Sequence, residues 1–208
     1  MSSAGVREVV LVRHAETEWS LSGQHTGRTD IPLTEDGRAA ARALAARQQA
    51  WNFELVLVSP SARARETCEL CGLTGRAEVR EELLEWDYGD YEGLTTPQIQ
   101  ALRPGWSLWR DGAPAGESAA DVGARADRVI AQASPCEGPV AVFSHGHMLR
   151  VLGARWIGLS PDHGARLALS TGALCLLGEE RGTNVIARWN ELAEAPAPTP
   201  PRAWAGPV

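Results

Sequence analysis

Three short apolar runs constrain this chain most, because all three end alike. Val9-Val10-Leu11-Val12 stops at Arg13-His14, and Leu55-Val56-Leu57-Val58 stops at Ser59-Pro60 with Arg63 one turn on. Val140-Ala141-Val142-Phe143 stops at Ser144-His145-Gly146-His147. Apolar runs without polar alternation suit strands covered on both faces, as in a parallel sheet. Helical patterns fall between and after them: residues 34–49, with Thr34 as cap and an acidic first turn, then 62–71, a short helix from 96, 118–133 and 146–157. Residues 81–93 read as a polar loop. LALSTGALCLLG and NVIARW read as two further strands, antiparallel at the sheet edge. The expected fold is α/β, a three-layer α/β/α arrangement around a mainly parallel sheet with an antiparallel edge. With 208 residues, 44% of them hydrophobic, one sizeable core can form. Residues 1–193 are expected to be a single domain, and the proline-rich stretch 194–208 a flexible tail.

Charge and composition then remove whole function classes. A formal charge of −6 argues against a nucleic-acid or anionic-membrane partner, since either wants a basic face. All 20 basic residues are Arg, so neither Schiff-base nor P-loop lysine chemistry is available. There is no apolar run of about 18 residues to span a bilayer, and the start lacks a signal-like apolar stretch. A cytoplasmic location is expected. Cys68 and Cys71 form a CELC motif, but Cys136 and Cys175 are not spaced as a second pair. Positions three apart on a helix share a face, so packing is the expected role of this pair.

In an open parallel sheet, ligands bind at the carboxyl ends of the strands. The three run endings should therefore meet in one crevice holding two arginines and two histidines. Cations gathered this way are costly unless an anion lies between them, and a phosphate group fits. Arginine forks match its oxygens, and the helix beginning beside Arg63 could add backbone donors and a positive dipole end.

LVRHAETEWS, SPSARARET, LLEWDYGDYEGLT, GES and VFSHGHMLR, in this order over about residues 8–177, resemble the histidine phosphatase superfamily, also called phosphoglycerate mutase-like. TEWSLSGQHTGRTDIPLT, EWDYGDYEG and LWRDG resemble its branch of acid phosphatases and sedoheptulose-bisphosphatase-like enzymes. The resemblance implies a phosphoglycerate mutase-like fold and a phosphomonoesterase acting on a small phosphorylated metabolite, a sugar phosphate or bisphosphate. His14 would be the nucleophile that becomes phosphohistidine. Arg13, Arg63 and His145 would clamp the phosphoryl oxygens, and Glu85 would give a proton to the leaving alcohol. Ser20, Thr26, Gly27 and Tyr88 would line the substrate side. Ala15 stands where the family pattern has Gly, and Ser20 where many members have Asn.

No cofactor and no metal are implied. The alternative of a metal held by His145 and His147 is opposed by repulsion from Arg13 and Arg63. His25, His147 and His163 are given no catalytic part, and WSLWRDG reads as a packed lid or substrate wall. Two alternatives differ in activity: a phosphoglycerate mutase-type phosphotransferase, and a non-catalytic phospho-ligand sensor. The mutase reading is disfavoured because Asp111 follows Trp109-Arg110 where resembling mutases place a second arginine for a substrate carboxylate. The oligomeric state stays open, a homodimer being one option.

Overall fold

The three apolar runs become neighbouring strands of one sheet in a computed structural model that describes residues 8–48 and 50–193. In chain order the elements are β1 (Val9–Arg13), α1 (Glu18–Ser22), α2 (Glu35–Gln48), β2 (Leu55–Val58), α3 (Ala62–Leu70), β3 (Ala77–Val79), α4 (Thr96–Leu102), α5 (Leu108–Asp111), α6 (Ala119–Ala133), β4 (Val140–Ser144), α7 (Gly146–Trp156), β5 (Leu174–Glu180) and β6 (Thr183–Glu191). The sheet order is β3-β2-β4-β1-β5-β6. The first four strands are parallel, whereas β5 and β6 run antiparallel to their neighbours. This is the expected mainly parallel sheet with an antiparallel edge. The expected tail, 194–208, lies outside the described residues.

Strand geometry explains why the apolar runs are unbroken. Successive side chains point to opposite faces, so Val9 and Leu11 enter one core while Val10 and Val12 enter the other. In the same way β4 sends Val140 and Val142 to the first core, Ala141 and Phe143 to the second. Side chains of α6 and α7 fill the first core, and Leu44, Ala64 and Cys68 from α2 and α3 fill the second. Leu11 and Leu57 are fully buried, each worth about 1.5–3 kcal/mol relative to exposure. Capping boxes start α4 and α6, where Thr95 and Ser118 accept from the N–H groups of Gln98 and Asp121. Thr34 begins α2 by accepting from the Gly37 N–H at 2.9 Å.

The expected polar loop at 81–93 is different in the structure. Leu83 and Trp86 are fully buried, and Tyr88 and Glu85 nearly so. The segment's apolar letters are spaced for neither helix nor strand, yet they anchor it in the core, with two short 3-10 turns at Glu81–Leu83 and Gly89–Tyr91. Neither α1, α5 nor β3 was expected; with five, four and three residues they are too short to show a period. Cys68 and Cys71 pack as expected, buried beside α2, their thiols pushed up to about 12 by burial. Among the described residues no helix is long and apolar enough to cross a membrane.

Candidate active site

Register brings the run endings level with one another. Arg13 pairs with Ser144, Val58 pairs with Phe143, and the His14 N–H donates to the Ser144 carbonyl at 2.9 Å. Three chains therefore leave the sheet side by side, delivering Arg13-His14, Ser59 and His145 to one crevice. Arg63 comes from the first turn of α3.

The His14 ring is oriented by its own backbone. Nδ1 lies 2.7 Å from the Ala15 carbonyl, and because a carbonyl only accepts, Nδ1 carries the proton. Nε2 is left with its lone pair, without a partner among the described residues, on the wall of a cleft of about 170 Å³. His145 stands nearby, with ring centroids 5.2 Å apart. Its Nε2 is taken by the Ser59 hydroxyl at 2.8 Å.

Three buried nitrogens, Arg13 Nε, Arg63 Nε and His145 Nδ1, lack a hydrogen-bond partner among the described residues. Buried donors without acceptors are costly and rare. The rest of each group is held firmly. Arg63 donates to the carbonyls of Thr26, Gly27 and Thr29 at 3.0–3.1 Å, and Arg13 donates to the Leu169 carbonyl. Arg13 lies across the start of α7, where a Cβ on Gly146 would stand 3.2 Å from its Cζ. Carbonyls thus aim both guanidiniums without neutralising them, and the open donors meet the need of an oxyanion.

Glu85 is the one carboxylate among the residues lining this cleft. It accepts from three backbone N–H groups, those of Trp86 and Met148 at 2.9 Å and of His147 at 3.0 Å. The open donors of a helix N-terminus are thus used, but on α7 and for a protein carboxylate. The helix expected to assist was α3. Its Ala62 N–H is instead taken by Asp30 at 3.0 Å. The backbone around Glu85 is fixed from behind by Arg125 of α6, which donates to the carbonyls of Glu82 and Leu84 at 2.6 and 2.8 Å. Arg125 also forms an ion pair with Glu117 at 2.7 Å, and Glu117 accepts from the Asp87 N–H.

Of the expected substrate-side residues, Ser20, Thr26 and Tyr88 line the cleft. The Ser20 hydroxyl closes the capping box of α1 by accepting from the Thr17 N–H at 2.9 Å, and it donates to the Thr17 carbonyl at 2.8 Å, so it retains one acceptor lone pair. Gly27 lies buried behind the wall. Its N–H donates to the Glu92 carboxylate at 2.9 Å and its carbonyl holds Arg63, a positioning duty in place of substrate contact. Tyr88 hydroxyl meets His147 Nδ1 at 2.7 Å. His145 and His147 thus turn to separate partners.

Sequence reasoning missed His25, His147 and Arg150, all on the cleft wall. The spacing from His145 was the available signal: His147 and Arg150 fall in the first turns of the helix that follows it. His163 lies apart, on Ser160. Trp109 does not line the cleft but packs behind it, 5.2 Å from His147 between ring centroids. Asp111 does not face it: the carboxylate accepts from the Ser107 N–H and pairs with Arg110. Its bearing on a substrate carboxylate falls away.

Burial, reinforced by the charges of Arg63 and Arg13, pushes His14 well below its ordinary 6.5. His145 is lowered by burial, Arg63 and His14, and His147 by burial and Arg150. All three are neutral at pH 7. Unfolded, they would titrate near 6.5, so below that pH the unfolded chain takes up protons that the folded chain does not. Stability is therefore expected to fall as pH falls below about 6.5, by roughly 1.4 kcal/mol per pH unit per histidine and about 4 for all three. Urea unfolding between about pH 7.5 and pH 5 checks this; a flat stability would contradict neutral burial.

Two guanidiniums with open donors beside a neutral histidine suit the holding of a transferring phosphoryl group. The chain belongs to the histidine phosphatase superfamily: the family model for its branch 1 matches residues 9–192. It is a phosphoric monoester hydrolase of that superfamily. An acid phosphatase of Mycobacterium tuberculosis is 44% identical over 191 residues, covering 88% of this chain and 93% of its own. A sedoheptulose 1,7-bisphosphatase of Saccharomyces cerevisiae is 37% identical, covering 72% and 67%. A 2,3-bisphosphoglycerate-dependent phosphoglycerate mutase of Brucella ovis is 35% identical, covering 80% and 89%. The solved structure of a Mycobacterium tuberculosis open reading frame product superposes with a TM-score of 0.87 at 39% identity, covering 90% of this chain and 99% of that one.

Proposed function

We propose that this enzyme hydrolyses a small phosphorylated metabolite, a sugar phosphate or bisphosphate, through a phosphohistidine on His14. The observation that carries this reading is the set of three buried nitrogens, on Arg13, Arg63 and His145 beside His14, that have no partner among the described residues, together with the open Nε2 of His14. Nε2 attacks phosphorus with its lone pair as the bond to the leaving oxygen breaks. Arg13, Arg63 and His145 hold the non-bridging oxygens where charge accumulates. Glu85 gives the departing oxygen its proton. A water then attacks the phosphohistidine, Glu85 takes up a proton from it, and inorganic phosphate leaves with Nε2 restored.

Support for a hydrolase over a non-catalytic sensor comes from His14, Arg13 and Glu85 lining one cleft, with Arg63 and His145 fully buried and the His145 ring centred 5.2 Å from that of His14. The acid phosphatase and bisphosphatase relatives favour a phosphate ester as substrate. A chromogenic aryl phosphate is the direct test, with release of nitrophenol from p-nitrophenyl phosphate expected. Activity is also expected to survive excess chelator, because fixed guanidiniums supply the positive charge. Activity lost to chelator and restored by a dication would overturn this account of the clamp. A purified enzyme inert toward both aryl and sugar phosphates would overturn the function itself.

A further inference from the structure

Arg125, in the second turn of α6, commits every nitrogen of its guanidinium to the protein around Glu85. Nη1 donates to the carbonyls of Glu82 and Leu84 at 2.6 and 2.8 Å and to the Met148 sulfur at 3.6 Å. Nη2 donates to the Glu85 carbonyl at 3.4 Å. Nε and Nη2 also fork onto the two carboxylate oxygens of Glu117, at 2.8 and 2.7 Å. Arg13 and Arg63 each keep an open Nε, whereas Arg125 keeps nothing for a ligand. Both members of the pair are largely buried, their side chains 12% and 18% exposed.

Glu117 grips the same segment from the other side of Glu85. Its carboxylate accepts from the Asp87 N–H at 2.9 Å, and its carbonyl accepts from the Trp86 indole N–H at 2.8 Å. The Glu117 N–H donates in turn to the Asp87 carbonyl at 2.9 Å. The chains approach so closely that a Cβ on Gly116 would stand 2.3 Å from the Asp87 carbonyl oxygen. The Met148 sulfur extends the grip to α7, where the Met148 N–H holds Glu85 Oε1 at 2.9 Å. An ion pair that only tied α6 to the residue before its cap would need none of these contacts. Glu85 itself lies between two short 3-10 turns, so no helix or strand ladder fixes its backbone.

Resting on the phosphatase reading in which Glu85 gives the leaving oxygen its proton, we infer that Glu117 and Arg125 are a positioning pair for that proton transfer. Neither lines the cleft. They act through Glu85, holding its backbone at residues 82, 84, 85 and 87 so that the carboxyl meets the departing oxygen in line. A misplacement of about 1 Å at such a group can cost about 10²-fold in rate.

A hexose 6-phosphate and p-nitrophenyl phosphate test this side by side, because only the sugar alkoxide needs the proton as it leaves. The ratio of their kcat/KM values reports the first transfer, since the ester is gone once His14 carries the phosphoryl group. In Arg125→Gln the sugar-to-aryl ratio is expected to fall by about tenfold or more. Arg125→Lys keeps the charge without the fork and should recover part of it. Glu117→Gln retains an acceptor for the Asp87 N–H and should move the ratio in the same direction. It carries the test if circular dichroism shows that Arg125→Gln does not fold. On top of Glu85→Gln, neither substitution should lower the ratio further, because the proton to be positioned is gone. Equal losses on both esters, an unchanged ratio in the folded variants, or a further fall on top of Glu85→Gln would make the pair merely structural and overturn the inference. Two other failures are distinct from this one. Glu85→Gln slowing both esters equally would sink the proton-donor reading, and wild-type enzyme inert toward both would sink the phosphatase reading.

Discussion

Replacing His14 by Ala is expected to lower turnover of every phosphate ester by about 10⁴-fold or more, since the attacking lone pair goes with the ring. The wild-type enzyme, quenched by denaturation during turnover of labelled substrate, should carry an acid-labile, base-stable phosphate on the peptide containing His14. The variant should carry none. The structure sharpens this test because a second imidazole lies close by, with His145 centred 5.2 Å from His14. Its Nε2 is occupied by the Ser59 hydroxyl; with Nε2 accepting from that hydroxyl the proton sits on Nδ1, which then donates to an oxyanion and does not attack. Label on the peptide containing His145, or label retained by His14→Ala, would refute the assignment of the nucleophile.

Glu85→Gln is expected to slow hydrolysis of a sugar phosphate by about 10²- to 10⁴-fold and that of p-nitrophenyl phosphate far less. A sugar alkoxide is strongly basic and needs a proton as it leaves, whereas nitrophenolate departs unaided. The surroundings of Glu85 add a second effect. Its two oxygens accept from three backbone N–H groups, and an amide keeps only one of those oxygens. If Oε1 stays on Trp86 and Met148, the new NH₂ faces the His147 N–H, leaving donor against donor at a cost of about 1–3 kcal/mol. The variant should therefore also unfold more easily, an effect common to both esters that cancels from their ratio. Comparing the two esters side by side separates proton donation from loss of structure. Equal slowing would exclude Glu85 as the donor. Its obvious replacements are already engaged, Asp87 with Arg28, Glu117 with Arg125 and Glu16 with Thr34.

Wherever the controlling forces act between residues close in the chain, the sequence was legible. Unbroken apolar runs meant strands covered on both faces, and helix caps such as Thr34 and Ser118 marked helix starts. Polar and charged letters at three strand ends were enough to expect a crevice of cations, because parallel strands all present their carboxyl ends to one side. By itself, then, the sequence determined the α/β class, the mainly parallel sheet and the gathering of Arg13 and His14 at one cleft, with Arg63 and His145 buried near His14. It did not determine the direction of individual polar groups. Asp111 follows Trp109-Arg110 in the chain, yet it turns back onto Ser107 and away from any substrate. The α7 N-terminus receives Glu85 while that of α3 is taken by Asp30. Residues 81–93 look polar, yet Leu83, Glu85, Trp86 and Tyr88 among them are buried, and Arg125, some forty positions later, satisfies the Glu82 and Leu84 carbonyls that burial would otherwise strand. Tertiary structure alone decided these matters, together with the placing of Arg150 on Trp109. Hydrogen bonds are short and directional, and their partners are chosen by packing between residues far apart in sequence, which no local pattern records.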